Sequence, residues 1–401
     1  MIRLTIPAID EECLEAVREV LETGFLVQGA RVTAFESAIA EYVGCEHAVA
    51  VNSGTSALHL SLLAMGLCAG DRVIVPAYSY PATANAVVLC GAEPVFVDIE
   101  PDTFNMDPTA LEATLAELAT GTDAPPHGRH PDDPPPEVTD PRDPQIDDPP
   151  AEAILPVHTF GQMADMERIG ELATRYNVPV LEDAACALGA TWGTRQAGTW
   201  GVGGCFSFHP RKAITTGEGG MVVTGDAVLA GLLRELRNHG QDPDAASPDF
   251  IAPGFNCRMT EFQAALGTVQ LARMEDMIEA RRQRAAVYDE LLGPTGVRPQ
   301  KTPPGSRSVY QSYVVILPVH EAEGRDAVIA HLRKNEIEAT IGTYHIPMTT
   351  YYRRQFDFEP GDFPVADEVF ARSLTLPLHD KLAREEQLMV VDTLVEALEL
   401  L

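Results

Sequence analysis

Seven short apolar runs constrain what this chain can fold into. They are His47 to Val51, Arg72 to Pro76, Pro94 to Ile99, Ala153 to His158, Pro179 to Asp183, Cys205 to His209 and Gly220 to Thr224. The first five are separated mainly by segments with apolar residues at helical spacing, such as Ser56 to Met65 and Met166 to Tyr176. Strands apolar on both faces must be covered on both faces, and parallel neighbours need long crossovers. The expectation is an α/β fold with a mainly parallel sheet. Two further helices are expected before it, over Ile9 to Leu21 and Val32 to Tyr42.

The pattern changes later in the chain. Thr260 to about Leu292 reads as one long amphipathic helix, with Thr260 as N-cap and Gln263 completing a capping box. A strand is expected over Ser312 to Pro318, and helices over Asp326 to Asn335 and Arg384 to Leu400. A chain of 401 residues suits one large and one small domain. The boundary is expected near residue 260, giving a large domain over 1–260 and a smaller C-terminal α+β domain over 261–401. One stretch fits neither. Gly121 to Pro150 holds ten prolines and seven aspartates, so it can form no helix or interior strand. A passive, solvated, mobile inserted loop is expected there.

Charge narrows the partners. Asp and Glu number 59 against 29 Lys and Arg, a formal net charge of -30. Nucleic-acid phosphates would repel such a chain. Lysine occurs only at Lys212, Lys301, Lys334 and Lys381. An acidic, lysine-poor surface resembles proteins of salt-loving microbes, and a halophilic protein is expected. The seven cysteines are scattered and include no C-x-x-C, which disfavours a disulfide framework or a zinc cage. No apolar run reaches the ~18 residues of a membrane helix, and no secretory signal is visible. A cytoplasmic protein is expected.

Four places carry candidate chemistry. Lys212 follows the run Cys205 to His209 and precedes a Thr-Gly-Glu-Gly-Gly turn. A lysine at a core-strand end can form a Schiff base, though a surface loop lysine is the plainer alternative. Asp183 ends an apolar strand at the edge where open parallel sheets bind ligands. It could hold a pyridinium nitrogen or simply cap the next segment. Asn52-Ser53-Gly54-Thr55-Ser56 joins a strand to a helix, an arrangement that offers N–H groups and hydroxyls to an anion or serves as a routine cap. Tyr80, just past a strand end, could stack on a planar ring or pack in the core.

The combination is more specific than its parts. These motifs occur in order, with Gln28-Gly29, Pro156-Val157-His158-x-x-Gly161, Phe206-Ser207-Phe208-His209-x-x-Lys212, Arg237-Asn238-His239-Gly240 and Gly254-Phe255-Asn256-x-Arg258-Met259. Together they resemble the DegT/StrS family of pyridoxal-phosphate-dependent sugar aminotransferases. The resemblance runs from about residue 5 to the C-terminus. It implies a fold-type I aminotransferase with pyridoxal 5'-phosphate as cofactor. Lys212 would bond the cofactor and later move the proton, Asp183 would pair with the pyridine nitrogen, and Tyr80 would stack on the ring. Gly54, Thr55 and Ser207 would hold the phosphate. Asn256 would reach the phosphate of the neighbouring subunit's cofactor, making a homodimer with shared sites. Cys186 stands near the ring's 3'-oxygen where members often carry Gln, His or Glu; His158 or a water is the candidate substitute. His345 is a substrate-contact candidate or a structural loop histidine. The implied reaction moves an amino group from glutamate or glutamine to a keto sugar, expected to be nucleotide-linked. A sugar dehydratase of the same fold would typically replace Lys212 with His, and a non-enzymatic regulatory relative would be expected to lose Lys212 or Asp183.

Overall fold

The computed structural model describes residues 1–120, 150–242 and 245–401. The inserted loop expected over 121–150 therefore lies, Pro150 apart, outside the described residues. The expected sheet is present. Glu93–Val97, Arg72–Pro76 and Ala153–Ile154 pair in parallel, as do Leu181–Asp183 and Gly203–Ser207. Parallel bridges from Ile154 to Val180 and from Val157 to Asp183 join the two groups. Gly220–Thr224 then pairs antiparallel with Gly203–Ser207 on one side and His47–Val51 on the other. Of these strands only Gly220–Thr224 runs against the rest. The reason is its connection: residues 208–219 contain no helix, and a parallel return would need a crossover.

Alternate strand residues feed two different apolar clusters. Ala48, Ala50, Ile74, Val95 and Val97 face one; Val49, Val51, Val73, Val75 and Phe96 face the other. That is the two-sided burial the apolar runs imply. Two expected strands are shorter than their runs. Ala153 to His158 pairs regularly only over Ala153–Ile154, and Pro179 to Asp183 only over Leu181–Asp183. Pro156 and Pro179 have no N–H to give a ladder.

The long helix expected from Thr260 is two helices, Glu261–Leu271 and Met274–Leu292. Arg273 leaves helical geometry at φ -112° and ψ 10°, and its guanidinium pairs with Asp10, the N-cap of Glu11–Thr23. Glu261 also reaches back. Its carboxylate accepts from the N–H groups of Gly29 (2.8 Å), Arg31 (3.0 Å) and Val32 (2.9 Å), closing the start of Ala30–Val43 that Gly29 has no side chain to cap.

A second, antiparallel sheet has the order Arg298–Pro299, Tyr313–Ile316, Ser373–Leu376, Thr340–Ile341. A third apolar cluster, including Tyr288, Tyr313, Leu374 and Leu394, packs around it. Met274, Met277 and Ile278 belong to the first cluster, while Ala285, Tyr288 and Leu292 of the same helix belong to the third. We propose the division into 1–260 and 261–401, with Met274–Leu292 as a helix that contributes to the cores of both units. Among the described residues no helix is long and apolar enough to cross a membrane.

Candidate active site

The parallel strands deliver their C-terminal ends to one edge, and Gly54, Asp183, Ser207 and Lys212 lie at or just past it, whereas Asn256 and His345 do not join them. Ser53 caps Gly54–Ala64, its Oγ accepting from the Ser56 N–H at 3.1 Å. The first-turn N–H groups, Gly54 and Thr55 among them, point out of the helix end. Gly54 lies against Ser207: a Cβ on Gly54 would sit 2.8 Å from the Ser207 Cβ. Gly220 is as tight, since a Cβ there would sit 2.4 Å from the Ser53 carbonyl oxygen. Small residues thus let the helix start and the end of Gly203–Ser207 touch. Gly54, Thr55 and Ser207 form one cradle of N–H groups and hydroxyls at a positive helix end.

Asp183 is buried at the end of Leu181–Asp183. Its Oδ2 accepts from Thr83 Oγ1 at 2.7 Å, and its Oδ1 from the Ala185 N–H at 3.2 Å. Burial pushes its carboxyl up from the ordinary range; the Thr83 hydroxyl, the Ala185 N–H, Lys212 and His158 pull the other way. Lys212 is half-buried, and its Nζ donates to Cys186 Sγ at 2.9 Å. Cys186 is therefore within reach of the lysine itself.

Tyr80 is 65 % exposed, its ring edge-on to Tyr344 at 5.9 Å between centroids. Tyr344–His345 pairs antiparallel with Tyr78–Ser79. Along such a strand neighbours face opposite ways. His345 accordingly turns inward, buried beside Phe363 and Phe370 with Nε2 3.3 Å from Asp367 Oδ1. The structural alternative for His345 is the one observed, and Tyr344, which the sequence reading missed, is the residue facing Tyr80.

His158 is not free to stand in for a ring contact. Its Nδ1 accepts from the Ala164 N–H at 3.2 Å, so the proton sits on Nε2, which donates to Glu182 Oε2 at 2.9 Å. Glu182 also accepts from the N–H groups of Gly198 (2.8 Å), Trp200 (2.6 Å) and Gly201 (3.1 Å). This fully satisfied carboxylate braces the strand end that carries Asp183. Its signal was the Glu-Asp pair itself, because alternation sends one carboxylate to each face of the sheet.

Asn256 stands apart. It is exposed, and among the described residues no hydrogen bond joins its side chain to the Gly54–Ser207 cradle. The backbone beside it does approach, the Cys257 carbonyl accepting from the Asn52 N–H at 2.8 Å.

The arrangement has three chemically distinct ends. A helix N-terminus with hydroxyls suits a phosphate dianion. A buried carboxylate that accepts two hydrogen bonds from the described residues suits a cationic ring nitrogen. A primary amine suits a carbonyl carbon. A pyridine ring bearing an aldehyde and a phosphate ester matches all three, so the residues fit pyridoxal phosphate. Among the described residues no cluster could hold a metal ion.

Known proteins agree with that fit. The family model described as the DegT/DnrJ/EryC1/StrS aminotransferase family matches residues 7–395. The GDP-perosamine synthase of Caulobacter vibrioides is 37 % identical over 403 residues, covering 99 % of this chain and 97 % of the relative. PseC of Helicobacter pylori, an aminotransferase involved in the biosynthesis of pseudoaminic acid, superposes with a TM-score of 0.86 at 27 % identity, covering 100 % of both chains. A Streptococcus pneumoniae chain solved in PLP and PMP forms gives the same TM-score and identity, covering 99 % of this chain and 98 % of that one.

Proposed function

This chain belongs to the DegT/DnrJ/EryC1/StrS aminotransferase family, and from that premise we propose that it moves an amino group from glutamate or glutamine to a nucleotide-linked keto sugar. It is a fold-type I, pyridoxal-phosphate-dependent sugar aminotransferase. The donor and the nucleotide link are the parts proposed. The observation that carries the reading is Lys212 beside the buried Asp183, both at one sheet edge. The amine disfavours the dehydratase alternative, which would put another residue there.

When bound, the cofactor supplies an aldehyde carbon to carry the amino group and a ring to take up the electron pair freed at the donor's α-carbon. The protein's residues do the rest. Gly54 and Thr55 N–H groups and the Ser207 hydroxyl bind the phosphate. Asp183 holds a proton on the ring nitrogen, and Thr83 keeps the carboxylate oriented. Tyr80, steadied by Tyr344, covers one ring face. Lys212 Nζ would hold the aldehyde carbon at rest and, freed when the donor's amine takes its place there, would carry the proton between the donor's α-carbon and the cofactor's C4′ carbon. Cys186 Sγ holds the amine near its working position.

The test is to load the enzyme with the pyridoxamine form and screen keto-sugar nucleotides by loss of that form's absorbance. Reaction with free keto sugars at equal kcat/KM would remove the nucleotide from the proposal.

The proposal includes a homodimer. Phe25 (78 % exposed), Val27 (70 %), Phe250 (61 %) and Ile251 (58 %) leave apolar surface uncovered near the segment that carries Asn256. Asn256 would act on the partner's phosphate. Mixing Lys212→Ala chains with Asn256→Ala chains is then expected to restore activity. Each heterodimer holds one intact site, so it should reach about half the activity of a wild-type dimer. Verified heterodimers without activity would place Asn256 in its own subunit's site.

The charge of -30, the seven free cysteines and the scarcity of lysine support a cytoplasmic, halophilic protein. At ~1 M salt the screening length falls to roughly 3 Å, shorter than most spacings between surface carboxylates. The melting temperature is therefore expected to rise as salt goes from tens of millimolar to molar. A flat or falling series would overturn this.

A further inference from the structure

Lys212 sits in a stretch, 208–219, that belongs to no helix or strand. Yet a proton-transfer amine must be held close to its working geometry, because an error of about 1 Å can cost about 10²-fold in rate. The Lys212 N–H donates to the His209 carbonyl at 2.8 Å and its Nζ to Cys186 Sγ at 2.9 Å, but neither contact fixes the peptide groups on both sides of the lysine.

We propose that Gln311 is the positioning residue for Lys212. Its side-chain amide bridges the two peptide groups flanking the lysine. Oε1 accepts from the Ala213 N–H at 2.9 Å, while Nε2 donates to the Arg211 carbonyl. One planar amide thus fixes the backbone on both sides of Lys212, as a paired strand would. Gln311 is itself buried and held from behind. The buried Arg281 guanidinium, on Met274–Leu292, donates to the carbonyls of Tyr310 (3.3 Å) and Gln311 (3.2 Å). Tyr310 lies at φ 45°, left-handed for a residue with a side chain, and its N–H donates to Ser308 Oγ at 3.1 Å. That turn aims Gln311 back at the lysine loop just before Tyr313–Ile316 begins. The second sheet is therefore tied to the catalytic amine through one side chain.

A contrasting contact separates this role from general support of the loop. Gln270 brackets Thr215 in the same manner, accepting from its N–H at 3.1 Å and donating to its carbonyl at 2.6 Å. Gln270 touches neither peptide beside Lys212.

The inference rests on Lys212 as the proton-transfer group, and its test distinguishes the two. In cofactor-loaded enzyme, Gln311→Leu is expected to retain a borohydride-reducible bond at Lys212 and to alter the visible circular dichroism of the bound cofactor. Its kcat should fall about 10- to 100-fold, with KM for both substrates within about twofold. In a Lys212→Ala background, with methylamine supplied to do the proton transfer, Gln311→Leu should change the rescued rate less than about twofold. Gln311→Glu keeps the acceptor for Ala213 but loses the donor to Arg211, so it should give the same changes in smaller measure, and it serves if the leucine variant does not fold. Equal losses with and without Lys212, or wild-type dichroism and kcat, would overturn the assignment of Gln311. An unimpaired Lys212→Ala enzyme would instead overturn the role of Lys212 beneath it.

Discussion

Lys212→Ala is expected to bind pyridoxal phosphate without a covalent bond and to lose turnover by about 10²–10⁴-fold, the range for removing a positioned proton-transfer group. The wild-type protein reduced with borohydride should yield one labelled peptide, containing Lys212. The other lysines offer a clean contrast. Lys301 is committed to an exposed ion pair with Asp102 at 2.8 Å, remote in kind from the half-buried contact of Lys212 with Cys186. Label on Lys301, Lys334 or Lys381 would sink the assignment.

The second large effect concerns Asp183. Asp183→Asn should still form the covalent bond but lose turnover by about 10- to 100-fold, in line with losing a hydrogen bond to a charged group. Stability should move differently. Burial raises the folded-state pKa of Asp183, so its ionised form is a cost to folding, present at pH values above its unfolded pKa. Asparagine removes that cost and can still accept from Thr83. The cofactor-free variant should therefore melt no lower than wild type at neutral pH. Near wild-type turnover would rule out the proposed role; a collapse of the cofactor-free fold would mark the carboxylate as structural.

Much of this was readable in the residue order. Strand runs such as Arg72 to Pro76 were bounded correctly because two-sided burial leaves an uninterrupted apolar signal. The placement of Lys212, Asp183, Gly54 and Ser207 near one another was readable because these motifs sit at or just past strand ends, and strand ends share an edge. What failed was whatever depended on a partner distant in sequence. The break at Arg273 depends on Asp10, more than 260 residues away. His345 was left open between a substrate contact and a structural histidine, because which face of a two-residue strand points inward is set by its pairing with Tyr78–Ser79. Gln311 carried no signal at all, since a neutral amide reads as an ordinary polar residue until its contacts are known.

The one reversed strand has a consequence for the order of assembly. Among the described residues His47–Val51 pairs only with Gly220–Thr224, so the earliest strand to be synthesised waits for the last of its sheet. At ribosomal speeds of about 5–20 residues per second, the intervening chain takes roughly 10–35 s to appear. Throughout that interval the nascent chain carries an apolar strand with an open edge. The Pro- and Asp-rich stretch 121–149 falls inside the same interval and lengthens it. Closing the sheet is thus an event of the second half of translation, and it completes the N-terminal end of the molecule from behind.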